Sequence, residues 1–369
     1  MELTKILLLS PKSEKGDGFA AGIAKWTNRF VQGVCQIESI HVEIVNTGLI
    51  GKRRSGSRKK HLHEEIYRNC AILINQIKKI KYNKPDIIHL NSNCSSTGLL
   101  RDLCESYISR MFKIPYVLHF HCNIAYYNYS KLAEFSLKSL VMNSSSIITL
   151  NSPSSDYVLN RYGRESKIIP LALPRAYLED VRRIVIKDKI ERACFVGHVT
   201  KAKGCDLIIE IAKYFPQIEF ALIGFVFDEI RNIVSIPNNV SFLGNCSETT
   251  VKELLSSSDV FIFPSLTEGF PTAVLEAMAF GLPIVASDVG AIPDMLGEQN
   301  QGGIIVHDRN LDNYIQGVEY LNSNPTKRNS MSLHNFDKVR NEYSESMVLY
   351  QYIEIYNTAL GIDKISEKV

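Results

Sequence analysis

The stretch Phe261–Leu296, FIFPSLTEGFPTAVLEAMAFGLPIVASDVGAIPDML, confines the fold more than any other part of the chain. It reads as strand, loop, helix, strand and loop. Val260–Phe263 is a short, apolar, β-prone run, the pattern of a parallel strand covered on both faces. Pro264 and Ser265 end it. Gly269 lets the backbone turn sharply and come close to a ligand. Pro271 and Thr272 suit a helix start, because proline has no needed N–H to lose there and threonine can cap. The helix is expected to run to about Phe280, with Gly281 as its stop and Pro283 opening the next strand, Ile284–Ser287.

That start places the N–H groups of Phe270, Thr272 and Ala273 at a helix N-terminus, which favours an anion such as phosphate. Glu276 lies about one turn in, and helical side chains lean toward the N-terminus, so its carboxylate can point back to a ligand. Beside a phosphate a carboxylate suits hydroxyl groups instead. Glu268, on the loop, reaches another part of the ligand. Two hydroxyl-binding carboxylates around an anion hole suggest ribose on one side and hexose on the other. The plainer alternative is a pair of solvated glutamates. The helix AVLEAMAFG is otherwise small and apolar, however, and a charge in a buried helix needs a partner.

A chain of 369 residues exceeds a comfortable single core, so two domains are expected. Their charges differ. Residues 1–170 carry 24 Lys+Arg against 13 Asp+Glu, and the remainder 18 against 26, which suggests different partners for the two halves. The eight cysteines are scattered, without a C-x-x-C pair or a metal spacing, and read as reduced, partly buried cytosolic thiols. The apolar start Ile6–Leu9 is too short for a signal peptide or a spanning helix and reads as the first strand. A cytoplasmic location follows as an expectation.

The first half alternates strand-like runs (Lys5–Ser10, His41–Asn46, Asp86–Leu90, Tyr116–His121, Ser146–Asn151) with helical ones near Gly22–Val34, His63–Lys81, Thr97–Phe112, Ser130–Asn143 and Ser154–Tyr162. This is a doubly wound α/β pattern. A second series begins at Ala193–Gly197 and continues through Cys205–Tyr214, Glu219–Gly224, Val240–Leu243 and Ser247–Ser257. The stretch Ile168–Lys189, with Pro170 and Pro174, reads as the linker. A last helix is expected near Glu345–Leu360.

The segment EGFPTAVLEAMAFGLPIVAS, with Glu268 and Glu276 separated by seven residues, resembles the Glu-x7-Glu signature of the retaining glycosyltransferases of family 4. That resemblance implies the GT-B fold: two Rossmann-like domains facing a central cleft, with the C-terminal helix crossing back to the N-terminal domain. The N-terminal domain, residues 1–170 with the helix at about 345–369, would bind the acceptor. Residues 171–344 would bind a UDP- or GDP-linked sugar. By the same resemblance Glu268 holds sugar hydroxyls, Glu276 the ribose, and Gly269, Phe270, Pro271 and Thr272 line the donor phosphate.

Other segments extend the likeness. Phe195–Gly204, FVGHVTKAKG, resembles the family's Gly-Arg…Lys-Gly element, whose two cations neutralise the donor diphosphate. Lys203 matches the lysine. His198 stands where arginine is usual, and a histidine is mostly neutral at pH 7 unless perturbed. Either the diphosphate protonates His198, or Lys201 supplies the missing charge, or activity is weak. Gly16 and Gly18 resemble the family's glycine loop over the donor phosphate, and their spacing departs from the dinucleotide-binding pattern. His119 and His121 fall at the end of a strand, where ligands bind. The family has a histidine at the place of His121, near the reacting sugar, and His119 fits a core role better. No carboxylate or cysteine completes a metal set with them.

Lys52, Arg53, Arg54, Arg58, Lys59 and Lys60 form a basic run. It is either a solvated loop or a contact to a lipid diphosphate or an anionic membrane surface on the acceptor side. No nucleic-acid module accompanies it. The chain has no Asp-x-Asp, the pair that holds a divalent ion in metal-dependent relatives, so neither metal nor cofactor is expected. The implied reaction moves a hexose, with retention, to a glycan or lipid-linked acceptor in surface polysaccharide synthesis. Glu268, His121 and Lys203 would be its catalytic residues. A GT-B sugar-nucleotide epimerase, a catalytically silent GT-B partner and an NAD-dependent enzyme are the rival readings.

Overall fold

The computed structural model describes residues 3–12, 22–48, 62–297 and 300–361. The chain forms two units, one of Met1–Leu171 with Glu345–Val369 and one of Ala172–Ser344.

The first unit is built on strands β1 (Thr4–Ser10), β2 (Ile40–Asn46), β3 (Ile87–Ser92), β4 (Tyr116–Phe120), β5 (Ser146–Thr149) and β6 (Lys167–Ile168). They form one sheet in the order β2-β1-β3-β4-β5-β6, and every pairing is parallel. Helices α1 (Gly22–Val34), α2 (Leu62–Asn83), α3 (Ser96–Met111), α4 (Lys131–Asn143) and α5 (Ser152–Tyr162) connect consecutive strands. Their starts follow from side-chain caps. Ser95 accepts from the Gly98 N–H, Ser130 from Ala133 and Asn151 from Ser154, each satisfying a first-turn donor that the helix itself cannot. Leu7, Leu9, Leu90, Leu118, Phe120, Leu137 and Leu140 are among the core residues beneath the sheet.

The second unit runs α6 (Arg175–Glu179), β7 (Arg192–Val196), α7 (Cys205–Tyr214), β8 (Glu219–Ile223), α8 (Asp228–Arg231), β9 (Val240–Gly244), α9 (Glu248–Ser257), β10 (Val260–Phe263), α10 (Thr272–Ala279), β11 (Ile284–Ser287), α11 (Ile292–Leu296), β12 (Gly303–Val306), α12 (Leu311–Ser323) and α13 (Pro325–Glu342). Its sheet has the order β12-β11-β10-β7-β8-β9, again all parallel. The last helix, α14 (Glu345–Leu360), belongs to the first unit and touches α1, β3, β4 and β5. Two Rossmann-like units of this kind make a GT-B fold.

Several expectations change in detail. The supposed linker carries structure: Ile168 sits in β6, which pairs with β5, and Arg175–Glu179 forms a short helix. On α14, Leu349, Ile353, Ile355 and Tyr356 are buried, whereas Met347 and Tyr350 face solvent. Thr272 does not cap α10. Pro271 occupies the N-cap position with extended backbone, and no side chain caps this end.

The cysteines are not all free thiols. Cys94 and Cys122 are joined as a disulfide, with Cα atoms 6.5 Å apart, because each lies two residues beyond the C-terminal end of adjacent strands β3 and β4. The other six remain free. No helix among the described residues is long and apolar enough to cross a membrane.

Candidate functional site

In the second unit the chain leaves β7 toward β8 and β9 on one side, and later returns to build β10, β11 and β12 on the other. The topological switch therefore lies between β7 and β10, and open α/β sheets bind ligands outside the strand C-termini at that point. The loops that follow these two strands are Gly197–Gly204 and Pro264–Pro271, the two segments that the sequence singles out.

The loops are stitched together by backbone. The Leu266 N–H donates to the Ala202 carbonyl at 2.9 Å. Gly204, which begins α7, has a φ of +74°, and a Cβ there would lie 2.1 Å from the Pro264 carbonyl oxygen. A third loop, after β11, joins them. Gly290 has a φ of +58°, its missing Cβ would lie 2.1 Å from the Glu268 carbonyl oxygen, and the Ala291 N–H donates to the Gly269 carbonyl. Both glycines are thus fixed by close backbone approach as well as by conformation.

Onto this frame the structure places Lys203 and Glu268 against each other, Nζ to Oε1 at 2.5 Å. The Glu268 side chain is only 10% exposed and that of Lys203 31%. Lys203 also lies 5.8 Å from the centre of the Phe263 ring. A charge-assisted bond of this kind holds the two groups together at the switch point.

Phe270 and Pro271 are buried, with the Phe270 ring edge-on to Tyr343. Pro271, at the N-cap of α10, offers no side-chain cap to the first-turn N–H groups, Thr272 and Ala273 among them. Glu276 is half-buried on a helix whose Val274, Leu275, Ala277, Met278 and Ala279 are buried.

His198 is exposed, its ring 5.7 Å from that of Phe227. Lys201 is exposed too, and its N–H donates to Glu229. Sequence reasoning missed Arg309. Its Nε donates to the Pro264 carbonyl and its Nη2 to the Lys201 carbonyl, both at 3.3 Å, so one guanidinium bridges the two loops. It comes from the turn after β12, where its φ is +52°, and only the strand order brings it here.

In the first unit His121 follows β4 directly and is half-buried. His119 is fully buried, with its ring centre 3.9 Å from that of His121. A third, unforeseen histidine joins them. His89 on β3 bonds His119 at 3.1 Å through Nε2 and the Tyr356 hydroxyl at 2.5 Å through Nδ1. Trp26 packs against all three rings. Burial depresses His89 to about 3, and burial with the neighbouring imidazoles holds His119 and His121 well below the usual range. The three rings are therefore neutral near pH 7. Among the described residues no group of three or more His, Cys, Asp or Glu is arranged to hold a metal ion. Gly16, Gly18, Lys52, Arg53, Arg54, Arg58, Lys59 and Lys60 lie outside the described residues.

Residues 178–335, nearly the whole second unit, match the family of glycosyl transferases group 1. The likeness to the group 1 glycosyltransferases therefore rests on this unit. Among the relatives of this chain is a putative teichuronic acid biosynthesis glycosyltransferase, TuaC, from Bacillus subtilis. It is 25% identical over 243 residues, which cover 63% of this chain and 60% of TuaC. The chain spans about half to three fifths of the length of the curated relatives it matches, 47%, 60% and 48% in three of them. Solved structures extend the likeness over nearly the whole chain. A sucrose-phosphate synthase from Thermosynechococcus elongatus superposes with a TM-score of 0.77 at 15% identity, covering 97% of this chain and 99% of that one. Anabaena HepE, solved in complex with UDP, gives 0.74 at 14% identity over 96% of this chain and 100% of its own.

Proposed function

We propose that the chain is a retaining glycosyltransferase that moves a hexose from a UDP- or GDP-linked donor to a glycan or lipid-linked acceptor in surface polysaccharide synthesis. The observation that carries this reading is the Lys203–Glu268 pair at the switch point of the second unit, beside the uncapped start of α10. Lys203 and the helix N-terminus would stabilise charge on the departing diphosphate, the electrostatic role that is usually the largest contribution to catalysis. Glu268, once released from Lys203, accepts from sugar hydroxyls, and Glu276 accepts from the ribose. In the first unit the neutral His121 would contact a sugar hydroxyl. Retention follows by front-face attack, with a diphosphate oxygen taking the acceptor proton. The relative named for teichuronic acid synthesis supports the acceptor class, and the UDP complex of HepE supports the donor class.

A panel of nucleotide sugars followed by thermal shift, then by product analysis, tests the reading. With the donor that binds, Glu276→Ala is expected to raise the donor KM about tenfold or more, since a hydrogen bond to a charged group is worth roughly 1.5–3 kcal/mol. An unchanged KM removes Glu276 from the ribose. Because Lys203 and the helix N-terminus supply the positive charge, excess EDTA should leave the rate unchanged. Activity lost in EDTA and restored by magnesium would remove the metal-independent mechanism.

One observation favours a second reading, a catalytically silent partner subunit. His198, exposed, stands where the family carries its diphosphate arginine. Arg309, tied to the carbonyls of the same loops, offers a guanidinium close by and weighs against silence. Slow release of nucleotide from any donor in the panel decides for the enzyme, and neither binding nor turnover across the panel decides for the silent subunit.

A further inference from the structure

His121 sits at the end of a hydrogen-bond chain whose direction is fixed by counting protons. The Thr27 hydroxyl donates to the Ile23 carbonyl at 2.9 Å, and a carbonyl can only accept. Its single proton is thereby used. The 2.5 Å contact between the Ser10 and Thr27 hydroxyls must then have Ser10 as the donor. With its own proton spent on Thr27, the Ser10 oxygen can only accept from the Asn91 side chain at 2.8 Å, so the group facing it is the Asn91 amide nitrogen. The amide oxygen of Asn91 consequently faces His121 Nε2 at 3.1 Å, and an oxygen there requires a proton on Nε2.

Ser10, Thr27 and Asn91 are at most 2% exposed, so water does not compete for these bonds. Ser10 ends β1 and Asn91 lies near the end of β3, neighbours on either side of the switch point of the first sheet. The His121 ring is neutral for the reasons given above, so a proton on Nε2 leaves Nδ1 with a bare lone pair. No hydrogen bond within the described residues engages Nδ1, and it is not among the buried unpaired atoms.

We infer that the chain Ile23–Thr27–Ser10–Asn91 holds His121 in the Nε2–H tautomer, so that its Nδ1 accepts a hydrogen bond from a substrate hydroxyl. Asn91, Ser10 and Thr27 are then positioning residues for a sugar-binding imidazole. An acceptor nitrogen suits a neutral polyol and does not suit phosphate, which itself only accepts near neutral pH. The identity of the ligand rests on the glycosyltransferase reading, whereas the tautomer does not.

The test is a long-range proton–nitrogen correlation spectrum of the full chain labelled with nitrogen-15 histidine near pH 7.5. The His121 signals are identified by their loss in His121→Gln. The expected result is a protonated, pyrrole-type Nε2 and an unprotonated, pyridine-type Nδ1. In Thr27→Val the far acceptor is gone, the Ser10 proton is free to turn to Asn91, and the amide can flip. His121 should then populate the Nδ1–H form, and kcat/KM should fall about tenfold, the size of one lost hydrogen bond. Thr27→Ser keeps the hydroxyl and should restore both, which a merely structural role at this site would not produce. A wild-type His121 carrying its proton on Nδ1, or a tautomer unmoved by Thr27→Val in a folded protein, overturns the inference. If the tautomer behaves as expected but no sugar nucleotide is bound or turned over, the inference stands and the glycosyltransferase reading falls.

Discussion

Lys203→Met is expected to lower kcat by about 10²–10³, the usual consequence of removing one group aimed at charge that develops in the transition state. Lys203 is held for this role by its bond to Glu268 and by its loop, which the Ala202 carbonyl ties to Leu266. The substitution also strands a carboxylate that is only 10% exposed. An unpartnered buried charge is costly, but Lys203 is itself about a third exposed, so solvent moderates the loss and a fall of a few degrees in melting temperature is expected. These two effects can be separated. Pairing Lys203→Met with Glu268→Gln removes the stranded charge and should recover the melting temperature, while turnover stays low because the cation is still missing. Lys203→Arg keeps the charge and should retain far more activity than methionine. A Lys203→Met enzyme with wild-type kcat, measured at saturating donor, would take Lys203 out of the chemistry and leave it a structural cation.

The extent to which the site is legible in the sequence follows from the kind of signal each residue leaves. The strand, turn and helix around Glu268 announce themselves locally, because Pro264, Gly269 and Gly281 punctuate an apolar run. The Cys205–Tyr214 helix and the strand before it are equally local, and so Lys203 could be placed on a loop between them. What the sequence hides is pairing across the sheet. Lys203 and Glu268 are 65 residues apart, and His89 and Tyr356 are 267 apart. The parallel strand order of the second sheet brings the first pair together, and the packing of α14 against β3 the second.

Arg309 is hidden for the same reason. The disulfide was missed because Cys94 and Cys122 become neighbours only when β3 and β4 align. Helix α13 left a different gap. Its buried face includes Arg328, Ser332 and Asn335, so the apolar periodicity that marks a helix is diluted. Those polar groups are used: Asn335 donates to the carbonyls of Leu282 and Gly302, and Arg328 to those of Leu321 and Lys187. A buried face whose donors are taken up by backbone carbonyls leaves little hydrophobic trace.

Gly204→Ala should be strongly damaging to both the stability and the site of the second unit. The added methyl would sit 2.1 Å from the Pro264 carbonyl oxygen, a distance no real contact tolerates, and the neighbouring atom is backbone that cannot rotate away. Alanine must also adopt a φ of +74°, which costs about 1 kcal/mol before any collision is counted. Relief requires the loop after β7 to move away from the loop after β10. That movement strains the Leu266–Ala202 bond and draws Lys203, the preceding residue, away from Glu268. The expected outcome is a loss of about 2–4 kcal/mol in denaturant unfolding together with failure of nucleotide-sugar binding. Gly244→Ala supplies the control. Gly244 has a similar φ of +67°, but nothing lies within 4 Å of its added Cβ, so it should show only the conformational cost and bind donor normally. If the two variants behave alike, the close approach of these loops is not what organises the site. If only Gly204→Ala loses binding, loop contact positions the ammonium and carboxylate together.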